Sequence, residues 1–317
     1  MNTRNVLILT DGKAGHENQS RAFARALGCA FTLAEVHFKS PVHKALSYLC
    51  DRLGLRVRAL FTVQLPADAG AYAAVLGTGS GTFYPAKVLA RALKTKCGVV
   101  LYPRGYRIST FDCVLAPAFD RPPAAPNVIE IPANLVANDA AFYAAGTEAF
   151  RARHASPDPQ RPAVAVIVGG PNACSTMTPD WMRAQLTRVF AAHPGAEFWV
   201  TTSRRTPPEV EAVVESFPFD YTLLYSRDHF NPIPAFVSLA RVLYVTAEST
   251  GMLSEACTFG TAEVRVLDNL KPGPHKFRRF AEACAALGAK KIDLSAPFAA
   301  ARRLLGFDSE SVKPSTC

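Results

Sequence analysis

Short aliphatic runs recur along the 317-residue chain, and most are followed by a polar turn and then a helical pattern. In the first half the runs are NVLILT, AAVLGTG, CGVVLYP and DCVLAPAF; in the second they are AVAVIVGG, EFWVTTS, TLLYS, RVLYVTA and AEVRVL. Strands that alternate with helices predict βαβ units and parallel sheets, which is an α/β fold. Ligands of such sheets bind at the carboxyl ends of the strands, so we expect function in the turns.

The length of the chain predicts about two domains. The segment RARHASPDPQRPA, from Arg151 to Ala163, carries three prolines and little apolar content directly before a strong strand. Such a composition is typical of a linker. We therefore place a boundary near Ser156 and expect an N-terminal domain over residues 1–155 and a C-terminal domain over residues 156–317.

Positive charge is concentrated in the first domain. Residues 1–155 hold 18 Lys and Arg against 10 Asp and Glu, a net charge of +8, whereas residues 156–317 hold 17 against 16. An excess of this kind favours an anionic partner, such as phosphates or an acidic membrane surface, over a merely solvated basic face. We expect no nucleic-acid partner, because aromatic residues are not interleaved with the basic ones and no reader motif occurs.

Residues 37–65 form a basic segment with helical apolar spacing. Its apolar positions are Val42, Ala45, Leu46, Leu49 and Leu53, and its basic residues lie among them. Two structures fit this pattern: a helix that docks on a membrane surface, or a helix that faces the core and exposes a basic side.

Polar residues crowd the turn DGKAGHENQ after the first strand. The N-terminus of a helix favours anions, and His16 can serve as a general base that Asp11 either orients or replaces. The alternative is simple helix capping by Asn18. Candidate ligand contacts in this turn and in the later turn GTGSG are Gly12, Lys13, Gly15, Asn18, Gln19, Gly79 and Ser80.

Three turns of the second domain repeat this arrangement. They contain GGPN, TTSRRTP and AESTGMLSEA. Of the two adjacent arginines, Arg204 and Arg205, we expect one to bind phosphate oxygens. Helix N-terminal amides near Ser249 and Thr250 suit a pyrophosphate, and the Glu255 carboxylate can accept hydrogen bonds from ribose hydroxyls.

Several site classes are not indicated. There is no G-x-G-x-x-G, no P-loop, no D-x-D pair at a strand end and no His/Cys cluster of metal-ligand spacing. We expect no catalytic metal and no permanently bound cofactor. Scattered cysteines and the lack of a long apolar run or leader favour a cytoplasmic location.

Five segments together resemble the "elongated mitochondria" fission-protein family and its bacterial homologues. They are DGKAGHENQ, GGPN, TTSRRTP, FNPIPAFVSLARVLYVTAESTGMLSEA and KPGPHKFRRF, and the likeness runs from the first strand to about Phe280. The resemblance implies a GT-B-like architecture, with two Rossmann-like parallel-sheet domains facing across a cleft.

The resemblance also implies roles for the residues. The turn residues of the N-terminal domain would bind an acceptor, with His16 as catalytic base and Asp11 as the competing choice. The C-terminal domain would bind a nucleotide-sugar donor. Donor residues on this reading are Gly169, Gly170, Asn172, Ser203, Arg204, Glu248, Ser249, Thr250 and Glu255, with His275 and Lys276 as basic residues near the cleft.

The implied activity is glycosyl transfer from a nucleotide-sugar to a glycolipid or cell-envelope glycan. A lipopolysaccharide core or a similar phosphorylated glycolipid suits the basic domain. That acceptor implies peripheral contact with the cytoplasmic face of the inner membrane. A non-catalytic membrane-associated adaptor and a sugar-nucleotide epimerase on the same fold remain the alternatives.

Overall fold

The computed structural model describes residues 4–65, 71–154 and 160–307. Its strands are β1 (Asn5–Thr10), β2 (Ala30–Phe38), β3 (Phe61–Val63), β4 (Ala74–Thr78), β5 (Lys96–Val100), β6 (Cys113–Pro117), β7 (Val128–Ile131), β8 (Ala163–Ile167), β9 (Glu197–Thr201), β10 (Tyr221–Leu223), β11 (Val242–Thr246) and β12 (Glu263–Leu267). Its α-helices are α1 (Ala14–Ala26), α2 (Pro41–Arg52), α3 (Phe83–Ala92), α4 (Ala140–Arg153), α5 (Pro179–Ala192), α6 (Pro208–Glu215), α7 (Ile233–Leu239), α8 (Thr250–Thr258), α9 (Lys276–Leu287) and α10 (Ser295–Leu305). Within the described residues, no helix is both long and apolar enough to cross a membrane.

The chain divides into two compact units. Unit 1 comprises Met1–Ala137 together with Asp293–Cys317, and unit 2 comprises Asn138–Ile292. This division differs from the expected domains 1–155 and 156–317. The boundary expected near Ser156 itself lies outside the described residues.

Each unit is built on one sheet. The sheet of unit 1 has the order β3-β2-β1-β4-β5-β6-β7, and that of unit 2 has the order β10-β9-β8-β11-β12. The strands run parallel except β3, which pairs antiparallel with β2 at the edge of unit 1. The α/β class with parallel sheets is thereby confirmed, with β3 as the exception.

Two helices cause the difference between the expected domains and the observed units. Phe150 of α4 is fully buried in unit 2, with its ring centroid 5.1 Å from that of Trp199 and 5.7 Å from that of Phe236. Leu305 of α10 lies in a buried cluster of unit 1 that also contains Phe23. Burial of these apolar side chains assigns α4 to the second unit and α10 to the first.

Helix α1 begins earlier than its apolar pattern suggests. It starts at Ala14 with Lys13 as the N-cap residue, so Asn18 is not the cap. His16 consequently lies in the first turn of the helix. Glu17 forms an ion pair with Arg21 one turn later, at 2.7 Å.

Helix α2 turns its polar side to the core and its apolar side to solvent. Ser47 and Asp51 are fully buried, whereas Leu49 exposes 53 % of its surface and Leu53, directly after the helix, exposes 65 %. Leu49 and Leu53 therefore do not face the core, whereas Tyr48 and Cys50 of the same helix pack against it.

A buried ion pair explains the inward polar side of α2. Both carboxylate oxygens of Asp51 accept hydrogen bonds from Lys87 Nζ of α3 at 2.9 Å, and Ser47 Oγ lies 2.9 Å from Tyr106 Oη. Burial lowers the pKa of Lys87 to about 8, although Asp51 acts in the opposite direction. Each buried charge is thus compensated by its partner.

Replacing Lys87 by Met should leave the Asp51 carboxylate buried with Arg56 and the Arg107 N–H as its remaining partners. We expect the free energy of unfolding to fall by about 3 kcal/mol, because the buried carboxylate loses its nearest cation and keeps only the Arg56 guanidinium, at 3.2 Å, as a charged partner. Urea denaturation at neutral pH measures the change. The double variant Asp51→Asn/Lys87→Met removes both charges of the pair and should lose less; an unchanged stability of the single variant would contradict this account.

Candidate functional site

In unit 1, the turn after β1 brings His16 against Asp11. His16 Nδ1 lies 3.0 and 3.1 Å from the two carboxylate oxygens, and Lys13 Nζ lies 3.2 Å from Asp11 Oδ2. Burial raises the pKa of Asp11, but His16 and Lys13 outweigh it and hold that pKa below its usual range. An ionised carboxylate can only accept, so it keeps a proton on Nδ1 and leaves Nε2 for a ligand. A ring oriented in this way can take a proton from a hydroxyl.

The turn after the neighbouring strand β4 closes around the same two side chains. Gly79 has a φ of +84°, and a Cβ at this position would overlap the His16 ring. A Cβ at Gly81 would lie 2.8 Å from the Cβ of Asp11. Because β1 and β4 are adjacent parallel strands, their carboxyl ends lie side by side. The structure thus brings two of the predicted turns of unit 1 together.

The other expected residues of this site have varied surroundings. Ser80 Oγ accepts a hydrogen bond from Lys44 Nζ of α2 at 2.9 Å. Gln19 is buried, and its Oε1 has no hydrogen-bond partner among the described residues. The exposed members of the turn are Gly12, Lys13, Gly15 and Asn18.

In unit 2, the buried Glu248 carboxylate joins the turns that follow β8 and β11. Its Oε1 accepts hydrogen bonds from the Gly170 N–H at 2.7 Å and from Thr246 Oγ1 at 3.1 Å, and the Gly169 N–H donates to Thr246 Oγ1 at 2.9 Å. Burial raises the pKa of Glu248, and these donors counteract part of that effect. Three of the predicted donor residues therefore contact one another and hold the backbone in place.

A pocket of about 320 Å³ opens beside the end of β9. Arg204 and Arg205 line it and are exposed, and in the part of the chain that the structure describes neither guanidinium pairs with a carboxylate. The turn that carries them is fixed by the Ser203 N–H, which donates to Thr206 Oγ1 at 2.8 Å. Unpaired guanidinium groups of this kind suit phosphate oxygens.

The first turn of α8 borders the same pocket. The helix begins at Thr250, no side chain caps it, and Met252 of its first turn lines the pocket. The preceding Ser249 is buried and donates from Oγ to Met252 Sδ at 3.1 Å. The backbone N–H groups of an uncapped first turn attract anions.

Glu255 connects α8 with α4 within unit 2. Its Oε1 accepts hydrogen bonds from Tyr143 Oη at 2.9 Å and from Asn138 Nδ2 at 3.1 Å. Burial raises its pKa, and these two donors oppose the change. A ribose hydroxyl would therefore have to use the other carboxylate oxygen, Oε2.

Two expected residues of unit 2 have structural partners away from the pocket lining. Asn172 Oδ1 accepts from the Cys174 N–H at 2.8 Å and closes its own turn. His275 is the N-cap of α9, where Nδ1 accepts from the Arg278 N–H at 3.3 Å. Lys276 is the first residue of that helix and is exposed.

Sequence reasoning missed three residues near these turns. Tyr225 and His229 line the pocket, and their rings stack with centroids 4.6 Å apart. Asn269 follows β12 as Glu248 follows β11; it is buried, and its side chain opposes the rise in the pKa of Glu248, which places the amide beside that carboxylate. The rule that function lies at strand ends would have found Asn269, whereas the two aromatic residues lie in an irregular segment without such a signal.

Replacing Gly79 by Ala should disturb the position of His16. The positive φ and the overlap with the imidazole predict a loss of about 1–3 kcal/mol in the free energy of unfolding. The matched control is Gly15→Ala, where a Cβ would meet nothing within 4 Å, and we expect a change of no more than about 0.5 kcal/mol. Equal stabilities of the two variants, with an unchanged His16 ring environment by NMR, would contradict the packing described above.

Comparison with known proteins agrees with this architecture. No curated protein matches the chain at a significant level. A solved structure from Listeria monocytogenes, assigned as a UDP-N-acetylglucosamine 2-epimerase, is 10% identical with a TM-score of 0.54 and 98% of each chain covered. The UDP-GlcNAc 2-epimerase of Neisseria meningitidis bound to UDP-GlcNAc is 10% identical with a TM-score of 0.50, covering 99% of this chain and 96% of that one.

A UDP-glucosyltransferase from Polygonum tinctorium is 11% identical with a TM-score of 0.50, covering 98% of this chain and 99% of that one. At such identities the likeness concerns the fold, which is that of GT-B glycosyltransferases and related epimerases. The sequence profile described as Mitochondrial fission ELM1 matches residues 14–298. The match spans most of the chain, which therefore belongs to the mitochondrial fission ELM1 family.

Proposed function

We propose that the protein is a glycosyltransferase that moves a sugar from a nucleotide-sugar bound by unit 2 to an acceptor bound by unit 1. The observation that carries this proposal is the pocket at the strand ends of unit 2. It combines exposed arginines, the uncapped first turn of α8 and a stacked aromatic pair.

These three features match the parts of a nucleoside diphosphate. The ring face of Tyr225 or His229 suits a flat base, and Arg204 together with the α8 N–H groups suits the phosphates. The buried amide of Asn269 beside Glu248 adds donor and acceptor groups that suit a sugar or ribose hydroxyl. Because the compared proteins carry UDP-sugar names, uridine nucleotides are the first ligands to test.

The proposed acceptor site is the His16–Asp11 pair of unit 1. His16 Nε2 accepts the proton of the acceptor hydroxyl, and Asp11 stabilises the resulting imidazolium through Nδ1. The acceptor oxygen then forms its bond to the anomeric carbon as the bond from that carbon to the diphosphate oxygen breaks. The electron pair leaves with the nucleoside diphosphate, whose charge Arg204 and the α8 amides stabilise.

The proposed acceptor is an anionic glycolipid or envelope glycan, such as a lipopolysaccharide core. Support comes from unit 1, residues 1–137 and 293–317, which holds 19 Lys and Arg against 11 Asp and Glu, a net charge of +8, because a basic surface attracts phosphorylated substrates. This acceptor would bring the enzyme to the cytoplasmic face of the inner membrane.

A sugar-nucleotide epimerase is the second candidate. It is favoured by the likeness to two epimerase structures with TM-scores of 0.54 and 0.50. An epimerase converts its nucleotide-sugar without any acceptor, whereas a transferase requires one. Product analysis with and without a glycolipid acceptor therefore distinguishes the two activities.

Calorimetry with a panel of nucleotides and nucleotide-sugars tests the donor site. Arg204→Ala should weaken binding about ten- to a hundredfold, because a charge-assisted contact to phosphate is lost. The matched control is Arg188→Ala on the exposed side of α5, which should bind as the wild type does. A folded wild-type protein that binds none of the nucleotides would refute the donor assignment.

Replacing His16 by Ala should lower kcat/KM about a hundred- to ten-thousandfold, because the general base is removed. The donor Kd should stay unchanged, since donor residues lie in unit 2. Asp11→Asn keeps the shape of the partner but not its charge and should reduce activity less than His16→Ala. The reverse order of losses would assign the base to Asp11.

A further inference from the structure

We propose that unit 1 docks on an anionic phospholipid bilayer through α2 and the arginines beside it. The surface concerned, called the α2 surface below, consists of the exposed side chains of Val42, Leu46, Leu49, Leu53 and Leu55. This inference goes beyond glycosyl transfer and does not depend on it.

The first observation is the inverted amphipathicity of α2. A helix at the surface of a globular protein normally places its apolar stripe on the core. Here the inner side carries the buried Ser47 and Asp51 together with Tyr48, which packs on the core. Val42, Leu49 and Leu53 expose more than half of their surface. The spacing of these residues gives one continuous outward stripe, and water is a poor environment for it.

The second observation is the charge around the stripe. Lys39, Arg52 and Arg58 are exposed beside it. Asp51 is the only acidic residue between positions 39 and 65, and it is fully buried against Lys87. A stripe of apolar residues flanked by exposed positive charge is typical of a helix that lies in the headgroup region of an anionic membrane.

The third observation is a pocket of about 790 Å³ next to the α2 surface. Leu55, Leu65 and Leu93 form exposed parts of its wall, and Arg58 and Arg91 line it as well. The apolar wall suits an acyl chain, and the guanidinium groups suit the lipid phosphate. One phospholipid molecule presents both features together.

A second copy of the chain fits this surface less well than a bilayer does. A symmetric contact would bring the same patch of each copy together and oppose arginine with arginine. The contact between Lys44 Nζ of α2 and Ser80 Oγ also connects the surface to the turn that holds His16. Docking through α2 would therefore bring the proposed acceptor turn close to the membrane.

Flotation with phosphatidylcholine vesicles, with or without phosphatidylglycerol, tests the proposal on the full chain. The wild type should float with the anionic vesicles, and raised sodium chloride should weaken this binding. Leu49→Glu/Leu53→Glu should weaken it about tenfold or more. Arg58→Ala and Arg91→Ala should each weaken it about fivefold, as expected for one basic residue near an anionic surface.

The control is Phe142→Glu, which introduces one negative charge at an exposed apolar residue of unit 2, and the single variant Leu49→Glu is its match in charge. Phe142→Glu should bind vesicles as the wild type does, and all variants should keep the wild-type nucleotide affinity. Arg58→Ala is the variant expected to melt at a lower temperature, because it loses the hydrogen bond to the Phe61 carbonyl and the contact with the Phe61 ring. Wild-type protein that does not float, or a double variant that floats equally well, would overturn the proposal. The proposal would also be overturned if the wild type were a dimer and Leu49→Glu/Leu53→Glu converted it to a monomer without changing flotation.

Discussion

Two buried side chains, the Glu248 carboxylate and the Thr206 hydroxyl group, fix the turns of unit 2 relative to one another through hydrogen bonds. Glu248 Oε1 binds the Gly170 N–H, and Thr206 Oγ1 donates to the Gly169 carbonyl at 2.5 Å. The turns after β8, β9 and β11 are thereby linked through two consecutive glycines. Because buried backbone groups without partners are costly, these bonds fix the backbone from which Arg204 and the first turn of α8 project.

The two units use carboxylates for different purposes. In unit 1, Asp11 is only partly buried and faces an imidazole, so its charge is available to a reaction at the His16 ring. In unit 2, Glu248 is buried among backbone donors and serves the architecture of the turns. The same residue class at the end of a strand therefore faces either a titratable ring or backbone donors, and the two carboxylates differ in burial.

The strands that carry the site could be predicted from sequence because their side chains are buried on both faces. In β8, β9 and β11 all five residues are buried, and each strand contains at least three consecutive apolar residues. The edge strand β3 has three residues and an antiparallel partner, and no pattern of that length is distinctive. The first turn of α1 could not be predicted from the sequence, because its residues are mostly polar and show no apolar helical spacing.

Other features depend on contacts that no local pattern contains. Helix α4 packs on the sheet of unit 2 because Phe150 contacts Trp199, and α10 packs on the sheet of unit 1 because Leu305 joins the cluster of Phe23. In each case the partner residue is distant in the sequence. The separate roles available to His16 and Asp11 follow from which ring nitrogen the carboxylate meets. Periodicity and composition carry no information on either point.

The position of α10 has a consequence for the order in which the protein is made. Leu305 and Ala301 complete the core of unit 1, yet they follow the whole of unit 2 in the chain. A ribosome releases residues 138–292 before it releases α10, so unit 2 can close its core during translation. Until α10 has been synthesised, the apolar cluster around Phe23 in unit 1 lacks Ala301 and Leu305. The core of unit 1 is completed only when α10 packs against it.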